Sequence, residues 1–145
     1  MATAGKNLSE YDREALPDTS GMRIGLVVSE WNSEITEALY RGAAETLQAC
    51  GVAPERHIRW NVPGSFELPY GCRRLAAREK PDAIIAIGSV IRGETAHFDF
   101  VCAETARGIM ELNLGGSIPV IFCVLTDETL QQARDRSGGR HGNKG

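Results

Sequence analysis

The sequence predicts a three-layer α/β/α sandwich on a four-stranded parallel sheet. Two observations carry that expectation. Short apolar runs alternate four times with segments of helical period, which implies parallel pairing through right-handed crossovers. One run, "DAIIAIGSVI" (82–91), is apolar almost throughout, as a central strand covered on both faces must be.

"MRIGLVV" (22–28) is the first strand, short and rich in β-branched residues. Ile35, Ala38, Leu39, Gly42, Ala43, Leu47 and Cys50 then recur at helical spacing, and Gly51 closes the segment. "RHIRWNV" (56–62) alternates polar residues with Ile58, Trp60 and Val62, the mark of an edge strand. The next helix spans about 66–80, with Pro69 in its first turn, where a missing N–H is tolerated, and Pro81 as its stop. After the central strand, Phe98, Val101, Cys102, Thr105 and Ile109 form a helical stripe. "SIPVIFCVL" (117–125) is the fourth strand, and "DETLQQARDR" (127–136) a short polar-faced helix ended by Ser137-Gly138-Gly139.

A chain of 145 residues fits one domain with one core. The polar opening "MATAGKNLSEYDREALPDTSG" predicts a flexible arm over 1–20 ahead of a single domain over 21–145. It lacks the layout of a secretory signal, and no apolar stretch reaches the length of a membrane helix. A net charge of -3 argues against nucleic acid as a partner. Cys50, Cys72, Cys102 and Cys123 fall on apolar positions without C-x-x-C spacing. They read as buried hydrophobes in a reducing compartment, hence a cytoplasmic protein without a metal site.

In open parallel sheets, ligands bind beyond the carboxyl ends of the strands. That rule selects Trp31 and Asn32 after the first strand and Ser65, Phe66 and Glu67 after the second. After the third it selects Ser89, Val90 and Ile91, then Glu94, Thr95 and His97; the fourth ends near Phe122. Each has a plainer reading. Trp31 could cover the core edge or stack a flat heterocycle. Ser65 could cap a helix, while Gly64 admits a ligand to the backbone and Glu67 accepts its hydroxyls. Gly93-Glu94-Thr95 could form an anion pocket at a helix start, although Glu94 opposes it. His97 could pack, or carry a proton near neutral pH. The basic tail "ARDRSGGRHGNKG" reads as a solvated, frayed end, unless Arg136 clamps a phosphate.

Taken together and in order, "VVSEWN", "VPGSFELP", "IGSVIRGETAHFDFVC", "PVIFCVLT" and "SGGRHGNKG" closely resemble the lumazine synthase family over about 22–145. The resemblance implies a flavodoxin-like fold and a riboflavin-biosynthesis transferase without a cofactor. Its substrates would be 5-amino-6-(D-ribitylamino)uracil and 3,4-dihydroxy-2-butanone 4-phosphate; its products would be 6,7-dimethyl-8-ribityllumazine, phosphate and water. It implies His97 as proton donor, Trp31, Asn32, Ser65, Phe66, Glu67, Ser89, Val90 and Ile91 around the ribitylaminouracil, and Glu94, Thr95 and Arg136 around the phosphorylated substrate. Phe122 would reach a neighbouring subunit's site, and Lys144 the ribityl end. The expected partner is the chain itself, as a pentamer, decamer or sixty-subunit shell with active sites between subunits, with riboflavin synthase as a further candidate. Arg140 and His141 stand where many relatives have Lys and Ala. Family chains also continue past "GNKG" into another helix, which is expected to be missing here.

Two rival readings remain at this level. A relative could keep lumazine or flavin affinity, or shell formation, without turnover; His97 and Arg136 argue for the enzyme. A generic flavin mononucleotide module would need a phosphate loop after the first strand, where "SEWNSE" is acidic and glycine-free.

Overall fold

A computed structural model describes residues 12–145, so residues 1–11 of the expected arm lie outside the described residues. Of the remainder of the arm, Arg13–Ala15 form a single 3-10 turn that buries no side chain. The elements then follow as β1 (Ile24–Ser29), α1 (Ser33–Ala49), β2 (His57–Val62), α2 (Leu68–Glu79), β3 (Ala83–Ile91), α3 (His97–Gly115), β4 (Val120–Asp127) and α4 (Leu130–Arg136). A small hairpin, β5 (Ser137–Gly139) and β6 (Gly142–Asn143), ends the chain.

The four long strands pair in parallel in the order β2-β1-β3-β4. The expected three-layer sandwich is therefore present, with β2 at an edge and β3 inside. The winding reverses between β1 and β3, because the chain leaves β1 in one direction and returns across it to reach β3. Right-handed crossovers on either side of that reversal put α1 on one face and α2 and α3 on the other.

Two apolar layers follow from the alternation of side chains along the strands. Leu26 and Val28 pack with Ile35 and Leu39 of α1, Ile87 of β3 and Ala133 of α4. Val27 and Ala86 point the other way, into Leu68, Cys72 and Leu75 of α2 and Ile109 of α3. The α2 layer sits close to the sheet because glycine leaves room: a Cβ on Gly71 would lie 2.7 Å from Val62 and 2.8 Å from Val27.

Three expectations need correction. The fourth helix does not begin at Asp127; β4 runs to Asp127, and Thr129 caps α4 by accepting the Gln132 N–H at 3.2 Å. The glycine-rich tail is not frayed. Gly138 and Gly142 take φ of 121° and 72°, which allow the tight β5–β6 reversal, and Asn143 donates to the Ala38 carbonyl at 2.7 Å, docking the hairpin on α1. Of the four free cysteines only Cys72 is fully buried, and that burial pushes its thiol up to about 12.

Candidate active site

Three loops meet at the carboxyl edge beside the β1/β3 reversal. The first continues the β1–β2 ladder past both strands, with Glu30 N–H donating to Val62 O at 2.8 Å and Trp31 N–H to Pro63 O at 3.0 Å. Asn32 turns the chain into α1 with a left-handed φ of 59°, and its side chain makes no helix cap. Its amide instead donates to the Ser89 carbonyl at 3.0 Å, tying the loop to the end of β3. Trp31 is left 73% exposed at the rim, as a surface for stacking requires.

The second loop corrects another expectation. Ser65 does not cap α2; it opens a 3-10 turn, Ser65–Glu67, that precedes the helix. Thr105 of α3 donates its hydroxyl to the Ser65 carbonyl at 3.2 Å, fixing the turn against the sheet. The Ser65 hydroxyl faces Gly88, whose lack of a side chain makes room for it: a Cβ there would lie 2.6 Å away. Glu67 folds back over Gly64, its Oε2 3.0 Å from where a Cβ would stand.

The third loop leaves β3 and enters α3 at His97. Thr95 Oγ1 accepts the His97 N–H at 3.4 Å, so the hydroxyl supports the first turn as expected of a helix start. Beside it, Arg92 binds Asp99 and Glu128, and those hydrogen bonds, Asp99's first, hold the guanidinium protonated far above its ordinary value. Asp99 is correspondingly held below the usual carboxylate range by Arg92.

These loops enclose a cavity of about 690 Å³. It brings together Trp31, Asn32, Ser65, Phe66, Glu67, Ser89, Val90, Ile91, Thr95 and His97. Its size is that of a small-molecule site. Ser65 and Ser89 belong to its lining but are only 5% and 2% exposed, and their hydroxyls are buried with no hydrogen-bond partner. A buried unsatisfied hydroxyl costs about 1–3 kcal/mol.

Four predicted residues do not line this cavity. Glu94 is exposed on the β3–α3 loop. Phe122 pairs with Ala86 in mid-strand and stands 43% exposed on edge strand β4, away from the strand ends. Lys144 lies on the exposed tail, its N–H donating to Arg136 O at 3.0 Å. Arg136 ends α4, with Nη1 3.1 Å from Gln132 O and 3.8 Å from Asp127 Oδ1. Because Asp127 pairs with Ile91, Arg136 stands on the neighbouring strand's side of the same edge.

Some lining residues escaped the sequence reading. Phe98 and Val101 belong to the helical stripe expected to face the core, yet they line the cavity and join neither core cluster, and Phe100 joins them from outside the stripe. Asp127 is a buried carboxylate, 6% exposed, whose Oδ2 has no partner; burial pushes its pKa up against the pull of Arg136. A second cavity, about 740 Å³ between α2 and α3, contains none of the predicted residues. Among the described residues no cluster of three His, Cys, Asp or Glu could hold a metal ion.

The model of one protein family, described as 6,7-dimethyl-8-ribityllumazine synthase, matches residues 21–145. The chain belongs to that family. Similar relatives bear the name 6,7-dimethyl-8-ribityllumazine synthase. The protein from Flavobacterium johnsoniae is 59% identical over 145 residues, covering 100% of this chain and 76% of its own. That from Flavobacterium psychrophilum is 57% identical over 145 residues, covering 100% of this chain and 77% of its own. That from Christiangramia forsetii is 57% identical over 146 residues, covering 100% of this chain and 87% of its own. The match spans all three loops of the cavity.

Proposed function

We infer that the protein is a 6,7-dimethyl-8-ribityllumazine synthase of riboflavin biosynthesis. It condenses 5-amino-6-(D-ribitylamino)uracil with 3,4-dihydroxy-2-butanone 4-phosphate and releases phosphate and water. The observation that carries the reading is the cavity itself. It combines an exposed stacking surface (Trp31), a carboxylate (Glu67), a threonine (Thr95) and a histidine (His97) among its lining residues.

In this reading Trp31 stacks on the pyrimidine and Asn32, Ser89, Val90 and Ile91 meet its edge, largely through backbone groups. Ser65, Phe66 and Glu67 hold the ribityl chain, with Lys144 near its end. Thr95, Glu94 and Arg136 receive the phosphorylated substrate from the β4 side. The amine attacks the ketone to form an imine, phosphate leaves by elimination, and tautomerisation precedes closure of the second ring. Every step moves a proton, so one histidine at the cavity mouth serves repeatedly. Holding both substrates together supplies much of the rate, worth about 7–11 kcal/mol in favourable cases.

The same proposal includes a homo-oligomer of pentamers, with riboflavin synthase as a candidate partner, in the cytoplasm. Exposed apolar side chains support the assembly: Phe122 and Ile121 on edge strand β4, and Met110 and Leu114 on α3. Such surface calls for a covering partner. Four free thiols suit a reducing compartment, and no helix among the described residues is long and apolar enough to cross a membrane.

The test is optical. Purified protein mixed with both substrates should form the lumazine chromophore and inorganic phosphate in equal amounts. Tight lumazine binding without turnover would favour a non-catalytic relative instead. Sedimentation of the same sample reports the oligomer, and a monomer would refute the shared-site arrangement.

A further inference from the structure

We propose that Arg92 is a positioning residue that sets the distance between the His97 side of the site and the Arg136 side. The proposal rests on the synthase reading above, and it concerns a residue that lies outside the cavity lining. Ile91 and Gly93 on either side line the cavity; Arg92 does not.

Arg92 sits where the two halves of the site are joined. Its backbone N–H donates to Asp127 O at 2.9 Å, continuing the β3–β4 ladder by one residue. On one side the guanidinium takes Asp99 with both terminal nitrogens, at 2.8 and 3.3 Å, and lies 4.2 Å over the Phe98 ring. Phe98 and Asp99 directly follow His97 in the first turn of α3, and Phe98 lines the cavity. On the other side Nε binds the Glu128 carboxylate at 2.8 Å. Glu128 lies in the short β4–α4 loop, between Asp127, which faces Arg136, and Thr129, which caps the helix that ends at Arg136. One planar group therefore fastens the start of the histidine-bearing helix to the loop that launches the arginine-bearing one.

Stability alone does not account for the arrangement. Arg92 is 36% exposed, and ion pairs so open to solvent contribute little to stability. What a fork bound to two carboxylates and an aromatic face supplies is fixed geometry, which an ammonium cannot reproduce. A condensation of two substrates depends on that geometry, because the phosphorylated one is held from both sides, by Thr95 beside His97 and by Arg136.

The experiment compares the full chain with Arg92→Met, Arg92→Lys, Glu128→Gln and the Arg92→Met/Glu128→Gln double variant. The readouts are steady-state kinetics for both substrates, binding of inorganic phosphate and thermal melting. Arg92→Met should lower kcat about ten- to hundredfold, the scale of a displacement near 1 Å, while both KM values, phosphate affinity and melting change little. Lysine should not restore kcat. Glu128→Gln should lower kcat less, and the double variant should lose no more than Arg92→Met alone.

Wild-type turnover in Arg92→Met or in Arg92→Lys would overturn the proposal. So would losses that multiply in the double variant, or a kcat loss matched by losses of melting temperature and phosphate affinity. If Arg92→Met does not fold, Glu128→Gln decides, and its unchanged kcat overturns the clamp. An inactive wild type refutes the synthase reading and the clamp with it; an active wild type with an indifferent Arg92 refutes the clamp alone.

Discussion

Gly88→Ala tests the link between sheet packing and the cavity. Gly88 lies in β3, and its φ is outside the left-handed region, so alanine meets no backbone objection there. Space is the obstacle. The new methyl would stand 2.6 Å from Ser65 Oγ, 2.9 Å from Leu68 Cδ1 and 3.3 Å from Ser65 Cβ. Ser65 is pinned through its carbonyl by Thr105, and Leu68 is fully buried, so neither yields freely. Relief requires rotating the Ser65 hydroxyl and the Leu68 methyl or separating the 3-10 turn from β3. Overpacking of this kind costs about 1–3 kcal/mol. A domain of this size loses about 3–5 °C in Tm per kcal/mol. Thermal unfolding followed by circular dichroism should therefore show a clear decrease, and KM for the ribitylaminouracil should rise because Ser65 and Ser89 flank the methyl. Gly21→Ala, where a Cβ meets nothing within 4 Å, is the control and should stay within about 0.5 kcal/mol of the parent. A Gly88→Ala protein with parental Tm and KM would refute the close packing of Ser65 on β3.

Three further outcomes are expected. His97→Ala should reduce kcat by about 10²–10⁴-fold with substrate affinity nearly intact; an unchanged kcat would remove proton transfer from this side chain. Arg136→Ala should raise KM for the phosphorylated substrate and weaken inhibition by inorganic phosphate; a selective loss of pyrimidine affinity would contradict its assignment. Asp127→Asn should raise Tm at neutral pH. The folded pKa of Asp127 lies above its ordinary 3.8, so the native state binds the proton more tightly and stability falls as pH rises through that window. Glu37 has the opposite sign. Arg59 holds it below its ordinary 4.5, so its contribution is full above that value and is lost as pH falls through the depressed folded pKa. A parental acid-unfolding profile for Asp127→Asn, or a lowered Tm at pH 7, would show that Arg136 repays the burial of that carboxylate.

Much of this protein was legible along the chain because it was written locally. Period-two and helical patterns located all four long strands and the helices between them, and polar alternation marked β2 as an edge while the apolar run of β4 gave no sign that it is the other edge. The strand-end rule then selected a site without any long-range information, since parallel crossovers force every carboxyl end to one edge. Where local signals competed, the reading slipped. Ser65 in "PGSFE" has cap chemistry, but tertiary burial against Gly88 and Thr105 made it the start of a 3-10 turn. The tail has the composition of a frayed end, but Asn143 found a carbonyl on α1, more than a hundred residues away in sequence.

The sequence by itself determined the alternation, the sheet's polarity and the motif set that marks the family. Only the tertiary structure decided that Phe98 and Val101 line a cavity, that Asp127 is buried beside Arg136, and that Arg92 joins Asp99 to Glu128. The physical reason is range. Hydrogen-bond ladders and apolar periodicity are properties of neighbouring residues, whereas cavities, buried charges and shared ion pairs exist only where segments distant in sequence meet.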